Sequence, residues 1–187
     1  MIKVILCDDH AVVRRGIRDT ISEAVDIQVV GEAGSYPQLR EQMRKLPCDV
    51  LVLDLNMPGR GGLEVLGALK EEGSAVKVLV VSMYPEDQYA IRCLRAGARG
   101  YLNKAGEPAE MIAAIRTVFE GRKYVTPEVA QMLVDNLNAP ETEELHASLS
   151  ERELQTLQKI ASGKKLSGLV KRRAAERALF EGETPCA

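Results

Sequence analysis

The stretch "DVLVLDLNMPG", residues 49–59, decides the fold. Its apolar run from Val50 to Leu53 is unbroken and too short for most helices. A run of this kind is typical of a strand buried on both faces, as in a parallel sheet. Asp54 follows the run directly, and a Met-Pro-Gly turn comes soon after. The pattern therefore predicts a buried strand that carries a carboxylate at its carboxyl end.

Strand and helix patterns alternate five times along the chain, and this stretch contains the third strand. The predicted strands read "IKVILC", "IQVVGEA", "DVLVLD", "VKVLVVS" and "GYL", and helical patterns with apolar residues three and four apart lie between and after them. Alternation of this kind predicts an α/β fold with parallel strands, right-handed crossovers and helices on both faces of the sheet.

Composition and charge limit the class of protein. The chain has 187 residues, of which 45% are hydrophobic, so it can form a substantial core. Its net charge of −2 argues against a chain that is basic throughout but allows a local basic patch. No signal peptide or bilayer-spanning stretch is expected. The four cysteines lack metal-ligand spacing, so they are predicted to be reduced thiols in a cytoplasmic protein.

Chemically active side chains follow four of the predicted strands. Asp8 and Asp9 follow the first strand, Asp54 ends the third, Ser82 ends the fourth, and Lys104 comes after the fifth. In an open parallel sheet the ligand site lies at the carboxyl ends of the strands. We therefore expect these three acids, the hydroxyl and the amine to meet in one crevice.

Three neighbouring carboxylates repel one another, and a divalent cation would remove that conflict. Mg²⁺ prefers oxygen ligands and commonly binds through carboxylates together with a phosphate group. With a lysine and a hydroxyl nearby, the set indicates a phosphoryl site in which Asp54 is the nucleophile. An acid at a strand end is by itself more often only a helix cap or a turn former, so the joint occurrence carries the prediction.

Four motifs add a family resemblance. The stretches "LCDDH", "LVLDLNMPGRGG", "VLVVSMY" and "AGARGYLNKA" resemble the receiver domain of two-component response regulators, in detail the NarL type, over about residues 1–121. The resemblance implies a flavodoxin-like (βα)5 fold with strand order 2-1-3-4-5. It also implies a sensor histidine kinase as the phosphoryl donor.

The resemblance also assigns roles around the acids. Asp54 resembles the phosphoacceptor and a Mg²⁺ ligand. Asp9 resembles a direct Mg²⁺ ligand, Asp8 a ligand acting through water, and Asn56 a ligand through its main-chain carbonyl.

Three further residues match the part of the family site that holds and senses the phosphoryl group. Ser82 and Lys104 resemble the pair that binds the phosphoryl oxygens, and Tyr101 resembles the aromatic switch residue that moves with the hydroxyl. Ala105 stands where many receivers have a proline in a cis peptide, so a trans bond is expected here.

Residues 122–148 are predicted to form a linker helix, with Thr126 as N-cap and Pro127 at its first position, followed by an acidic linker. Residues 149–167 resemble the start of a LuxR-type helix-turn-helix, and residues 168–187 match nothing in that domain. The tail is compatible with a shifted reading frame, an engineered end or a natural truncation. No segment matches a recognition helix, so specific DNA binding, expected of the full-length family, is not expected of this chain.

The leading hypothesis is a phosphorylation-controlled regulator of a transcription-factor lineage, which could also form a homodimer and has no membrane partner. One alternative is a phosphatase with an aspartate nucleophile. Enzymes that this alternative resembles carry a second aspartate, the general acid, two residues after the nucleophile, and this chain has Asn56 at that position. The other alternative is an interaction module that is not phosphorylated, against which the intact acids, Ser82 and Lys104 argue.

Overall fold

The computed structural model describes residues 1–138, and it describes side chains through residue 134. Five parallel strands form one sheet in the order β2-β1-β3-β4-β5. The strands are β1 (Ile2–Cys7), β2 (Ile27–Ala33), β3 (Val50–Leu53), β4 (Lys77–Ser82) and β5 (Gly100–Asn103). The predicted α/β fold and its strand order are therefore confirmed.

Helices follow the strands in strict alternation, and a sixth helix follows the fifth. They are α1 (Ala11–Ser22), α2 (Tyr36–Lys45), α3 (Gly62–Glu71), α4 (Glu86–Ala96), α5 (Pro108–Phe119) and α6 (Pro127–Asn138). Helices α1 and α5 pack together on one face of the sheet, and α3 and α4 pack together on the other. The result is a three-layer α/β/α arrangement.

The core on the α1 and α5 side comes from alternate residues of the strands. Val4, Val52 and Val81 point to this face and contact Ile21 of α1 and Ile115 of α5, all of which are buried. Every side chain of β3 is buried, because both faces of this strand are covered by helices. The unbroken apolar run from Val50 to Leu53 has this physical cause.

Gly62 brings the start of α3 against the end of β3. Its N–H donates to the main-chain oxygen of Leu55 at 2.9 Å. A Cβ added at Gly62 would lie 2.5 Å from the main-chain oxygen of Asp54 and 2.7 Å from the Cα of Leu55. A side chain at this position would therefore displace the backbone that carries Asp54.

The segment after α5 returns along the edge of the sheet. Tyr124 forms a parallel bridge with Gly100, and its N–H donates to the main-chain oxygen of Arg99 at 2.9 Å. The helix predicted after it begins as expected at Pro127, with the Thr126 hydroxyl near the N–H of Val129 at 3.4 Å. Val129 is buried where α6 packs against α4.

Several smaller expectations have structural outcomes. Cys7, Cys48 and Cys93 are free thiols, as predicted, and no peptide bond in the described part of the chain is cis. None of the helices within residues 1–138 could cross a membrane. The predicted acidic linker from residue 139 on, the helix-turn-helix resemblance at 149–167 and the tail at 168–187 lie outside the described residues.

Replacing Gly62 with alanine should destabilise the domain, because the new methyl group meets main-chain atoms that cannot rotate away. We expect Gly62→Ala to lower the free energy of unfolding by about 1–3 kcal/mol, as overpacking does. Gly67→Ala is the matched control, since it lies in the same helix with no atom within 4 Å of its added Cβ. That control should gain about 0.5–1 kcal/mol from helix propensity. Urea titration measures both, and equal stability of the two variants would contradict the close approach.

Candidate functional site

The backbone continues its hydrogen bonding past the strand ends and so fixes the residues that follow. The acceptors are main-chain oxygens. The N–H of Asp8 donates to that of Ala33 at 3.0 Å, the N–H of Asp54 to that of Cys7 at 2.8 Å, and the N–H of Lys104 to that of Ser82 at 2.9 Å. Because the strands are parallel, all these residues stand at one edge of the sheet.

An ion cluster lies at this edge, inside the protein. The Lys104 ammonium nitrogen is 2.7 Å from Oδ2 of Asp8 and 2.8 Å from Oδ2 of Asp54. Only 7% of the Lys104 side chain, 3% of the Asp8 side chain and 2% of the Asp54 side chain is exposed. Two buried carboxylates thus share one buried cation, which leaves a net negative charge in a place that water hardly reaches.

The pKa values of these groups reflect both burial and pairing. Burial raises the pKa of Asp54 above its usual value, although Lys104 acts in the opposite direction. For Lys104, burial alone would lower the pKa, but hydrogen bonds to Asp54 and Asp8 outweigh it and raise the pKa. The cluster therefore holds its lysine proton firmly, while the ionised form of Asp54 is costly without a further cation.

The acids also form a set that could hold a metal ion. Ligand atoms of Asp8, Asp9, His10 and Asp54, one from each residue, all lie within 4.8 Å of one another. Oδ2 of Asp8 and Oδ2 of Asp54 are buried and share the single Lys104 ammonium, and Oδ1 of Asp9 is buried beside Nδ1 of His10. Buried oxygens with unused acceptor capacity and three carboxylate groups fit a hard divalent cation.

Asn56 and His10 flank the cluster. The main-chain N–H of Asn56 donates to the Asp54 carboxylate and favours its ionised form, and the Asn56 side chain is exposed. The ring nitrogen Nδ1 of His10 lies 2.7 Å from Oδ1 of Asp9. His10 was not among the predicted site residues, although its position directly after the acid pair was a usable signal.

Ser82 is buried beside Tyr101, the predicted switch residue, rather than against the carboxylates. Its hydroxyl oxygen lies 3.3 Å from the N–H of Tyr84 and is also hydrogen-bonded to Tyr101. The Tyr101 hydroxyl donates to the main-chain oxygen of Tyr84 at 2.9 Å. Within residues 1–138 no hydrogen bond joins the Ser82 hydroxyl to an acid of the cluster, so the structure gathers the predicted residues into two adjoining groups.

Two contacts extend the second group to α4 and α6, and sequence reasoning missed both. The ring of Tyr84 stacks on the buried ring of Tyr89, with centroids 4.5 Å apart. Four residues after Ser82, the Glu86 carboxylate accepts a hydrogen bond from the Thr126 hydroxyl at 2.6 Å. Tyr84 precedes the helix, so helical periodicity gave no signal for its stacking.

Comparison with known families matches residues 4–116 to the response regulator receiver domain. Among curated proteins, the response regulator UvrY of Escherichia coli (strain K12) is 38% identical over 168 residues, which cover 89% of this chain and 77% of UvrY. The response regulator GacA of Pseudomonas aeruginosa is 39% identical over 170 residues, which cover 90% of this chain and 79% of GacA.

The similar solved structures are also response regulators. A LuxR-family two-component response regulator from Aurantimonas sp. SI85-9A1 superposes with a TM-score of 0.67 at 31% identity, covering 73% of this chain and 98% of that one. A structure of two RcsB dimers bound to two parallel DNAs superposes with a TM-score of 0.66 at 25% identity, covering 92% of this chain and 83% of that one.

Removing the Asp54 carboxylate should stabilise the metal-free protein at neutral pH. Folded Asp54 holds its proton more tightly than the unfolded chain does, so wild-type stability falls as pH rises from the ordinary aspartate pKa of 3.8 towards the raised folded value. The Asp54→Asn variant lacks this loss. Its stability relative to wild type should therefore grow over that pH range and then level off.

Urea unfolding in EDTA at several pH values measures this difference. Asp87→Asn makes the same chemical change at an exposed position in the first turn of α4 and serves as the control. A stability difference for Asp54→Asn that shrinks as pH rises would show that the cluster does not oppose ionisation of Asp54.

Proposed function

This chain belongs to the response regulator family and is a two-component response regulator. We propose that phosphoryl transfer to Asp54 changes it from its resting to its signalling state. The observation that carries the proposal is the buried cluster in which Lys104 pairs with both Asp8 and Asp54. We further propose that the donor is a sensor histidine kinase.

Asp54 has the position that a nucleophile needs. One carboxylate oxygen forms the new bond to phosphorus as the bond from phosphorus to the donor breaks, which leaves an acyl phosphate on the protein. The rigid end of β3 and the N–H of Asn56 orient the carboxylate before the reaction. Lys104, already within ion-pair distance, is placed to hold an oxygen of the transferred group.

Mg²⁺ is the cation proposed for the acid set, with Asp9, Asp54 and the Asn56 main-chain carbonyl as ligands and Asp8 acting through water. Bound there, it would offset the charge of the carboxylates and of the incoming phosphoryl group. The support is three close carboxylates with buried oxygens, two of which share a single lysine ammonium. The carbonyl of Asn56 as a ligand stays a prediction.

The switch is proposed to begin at Ser82. A phosphoryl group on Asp54 offers the Ser82 hydroxyl a charged acceptor, which competes with its present contacts to Tyr84 and Tyr101. The segment from the end of β4 into the first turns of α4 also carries Glu86, whose carboxylate accepts a hydrogen bond from Thr126, directly before α6. A change in this segment therefore has a direct route to the linker helix.

Family membership supports a signalling module rather than a metabolic enzyme. The phosphatase alternative would need a general acid near Asp54, and the exposed amide Asn56 stands at the place where it was expected. The alternative of an interaction module that is not phosphorylated would leave the shared Lys104 cluster without a role. A cytoplasmic location and a homodimer also remain proposals.

Incorporation of phosphate tests the assignment of Asp54. After incubation with acetyl phosphate and Mg²⁺, the intact mass of the wild-type chain should increase by one phosphoryl group. Asp54→Asn should fold and show no increase, because the amide keeps the shape and loses the nucleophile. Asp87→Asn, the exposed control, should be modified like wild type. Equal incorporation by Asp54→Asn would sink the assignment, and turnover without an adduct would favour the phosphatase.

Ser82→Ala should slow modification of Asp54 by about 10- to 100-fold. One hydrogen bond to a charged group is worth about 1.5–3 kcal/mol, and that energy sets the range. Ser74→Ala is the control, because Ser74 lies before β4, at the opposite end of that strand from Ser82. The rate of mass increase with acetyl phosphate measures this effect. Equal rates for the two variants would show that Ser82 does not take part in the phosphoryl transfer.

The remaining prediction is that this chain does not bind a specific DNA sequence, and it concerns residues after 138, outside the described part. The RcsB structure contains DNA, but the expectation for this chain is weak, unselective contact that salt removes. Titration of a promoter fragment and a scrambled duplex at two salt concentrations measures this. Preference for the promoter that survives the higher salt would contradict the expectation.

A further inference from the structure

His10 is the one member of the metal-ligating set that the proposed phosphoryl transfer leaves without a role. It directly follows the acid pair, and its side chain is 58% exposed. We propose that His10 is a fourth side-chain ligand of the cation site and makes that site bind borderline ions such as Co²⁺, Ni²⁺ or Zn²⁺ more tightly than Mg²⁺. This inference rests on the metal site proposed above.

The ring is already placed at ligand spacing. Nδ1 of His10 lies 2.7 Å from Oδ1 of Asp9 and 3.6 Å from Oδ1 of Asp8. Two neighbouring ligands of an ion with bonds of about 2.1 Å stand about 3 Å apart when they meet it at a right angle. The two observed distances bracket that value. One bound ion could therefore take Nδ1 and a carboxylate oxygen together with little movement.

The backbone holds the ring near the acids. His10 is the N-cap residue of α1, and its main-chain N–H donates to Oδ1 of Asp8 at 2.7 Å. Its side chain makes no capping hydrogen bond, so the imidazole is not needed to start the helix. The main chain is thus fixed against one acid, while the ring remains available on the solvent side of the cluster.

The chemistry of the donors sets the direction of selectivity. Mg²⁺ prefers oxygen ligands and keeps several waters, so it gains little from an imidazole at the edge of the site. Imidazole suits Zn²⁺, Ni²⁺ and Cu²⁺, and affinity at mixed nitrogen and oxygen sites rises along the first transition row towards copper. His10 therefore adds affinity for the borderline ions alone.

Calorimetric titration of the metal-free full chain with Mg²⁺ and, separately, with Co²⁺ tests this. His10→Ala should weaken Co²⁺ binding at least about tenfold and leave Mg²⁺ binding within about twofold. The chain has two histidines, so His146→Ala removes the other imidazole and is the matched control. It should leave both affinities at the acid site unchanged. Proton NMR of the Co²⁺-loaded protein should show hyperfine-shifted imidazole signals that His10→Ala removes and His146→Ala retains.

Asp9→Asn separates failure of this inference from failure of the metal site itself. If Asp9→Asn loses both ions while His10→Ala binds Co²⁺ like wild type, the metal site stands and His10 is not a ligand. If Asp9→Asn leaves both affinities unchanged, the metal site proposed above is wrong as well. Parallel loss of Mg²⁺ and Co²⁺ in His10→Ala would also overturn the proposal, because it would show no selectivity.

Discussion

The sharing of one buried ammonium by two buried carboxylates is the constraint on which the rest of this structure depends. Lys104 reaches Asp8 and Asp54 only because β5, β1 and β3 run parallel and end at the same edge. Removing Lys104 from this cluster would leave two buried carboxylates uncompensated, which is strongly unfavourable. The remaining negative charge makes the edge receptive to a cation. The fold, the site and the proposed chemistry therefore depend on the same buried charges.

The route from this cluster to the rest of the chain is short and made of identified contacts. Ser82 is hydrogen-bonded to Tyr101 and to the N–H of Tyr84, and the Tyr84 ring stacks on Tyr89. At the start of α4, the Glu86 carboxylate accepts a hydrogen bond from the Thr126 hydroxyl. A few hydrogen bonds and one ring contact therefore run from the ends of β4 and β5 to the start of α4 and to Thr126, directly before the linker helix α6.

The sequence patterns predicted the sheet and the edge well, because both follow from simple periodicity. Buried strands need unbroken apolar runs, and parallel strands bring the residues after them together, so Asp54 could be placed without a structure. The position of Ser82 against Tyr101 rather than against an acid could not be predicted, because it depends on side-chain rotamers. The stacking of Tyr84 and the approach of His10 to Asp9 could not be predicted either. Tyr84 and His10 both lie between a strand and a helix, where no periodic pattern indicates the direction of a side chain.

The strand order has a consequence for synthesis of the chain on the ribosome. After β1 and β2 have paired, β3 joins the free side of β1, β4 joins β3, and β5 joins β4, so no strand must insert between two that are already paired. A nascent sheet can therefore grow outward at one open edge as residues emerge. The acids at positions 8, 9 and 54 are made before Lys104, and for that interval the growing edge carries three negative charges without their lysine.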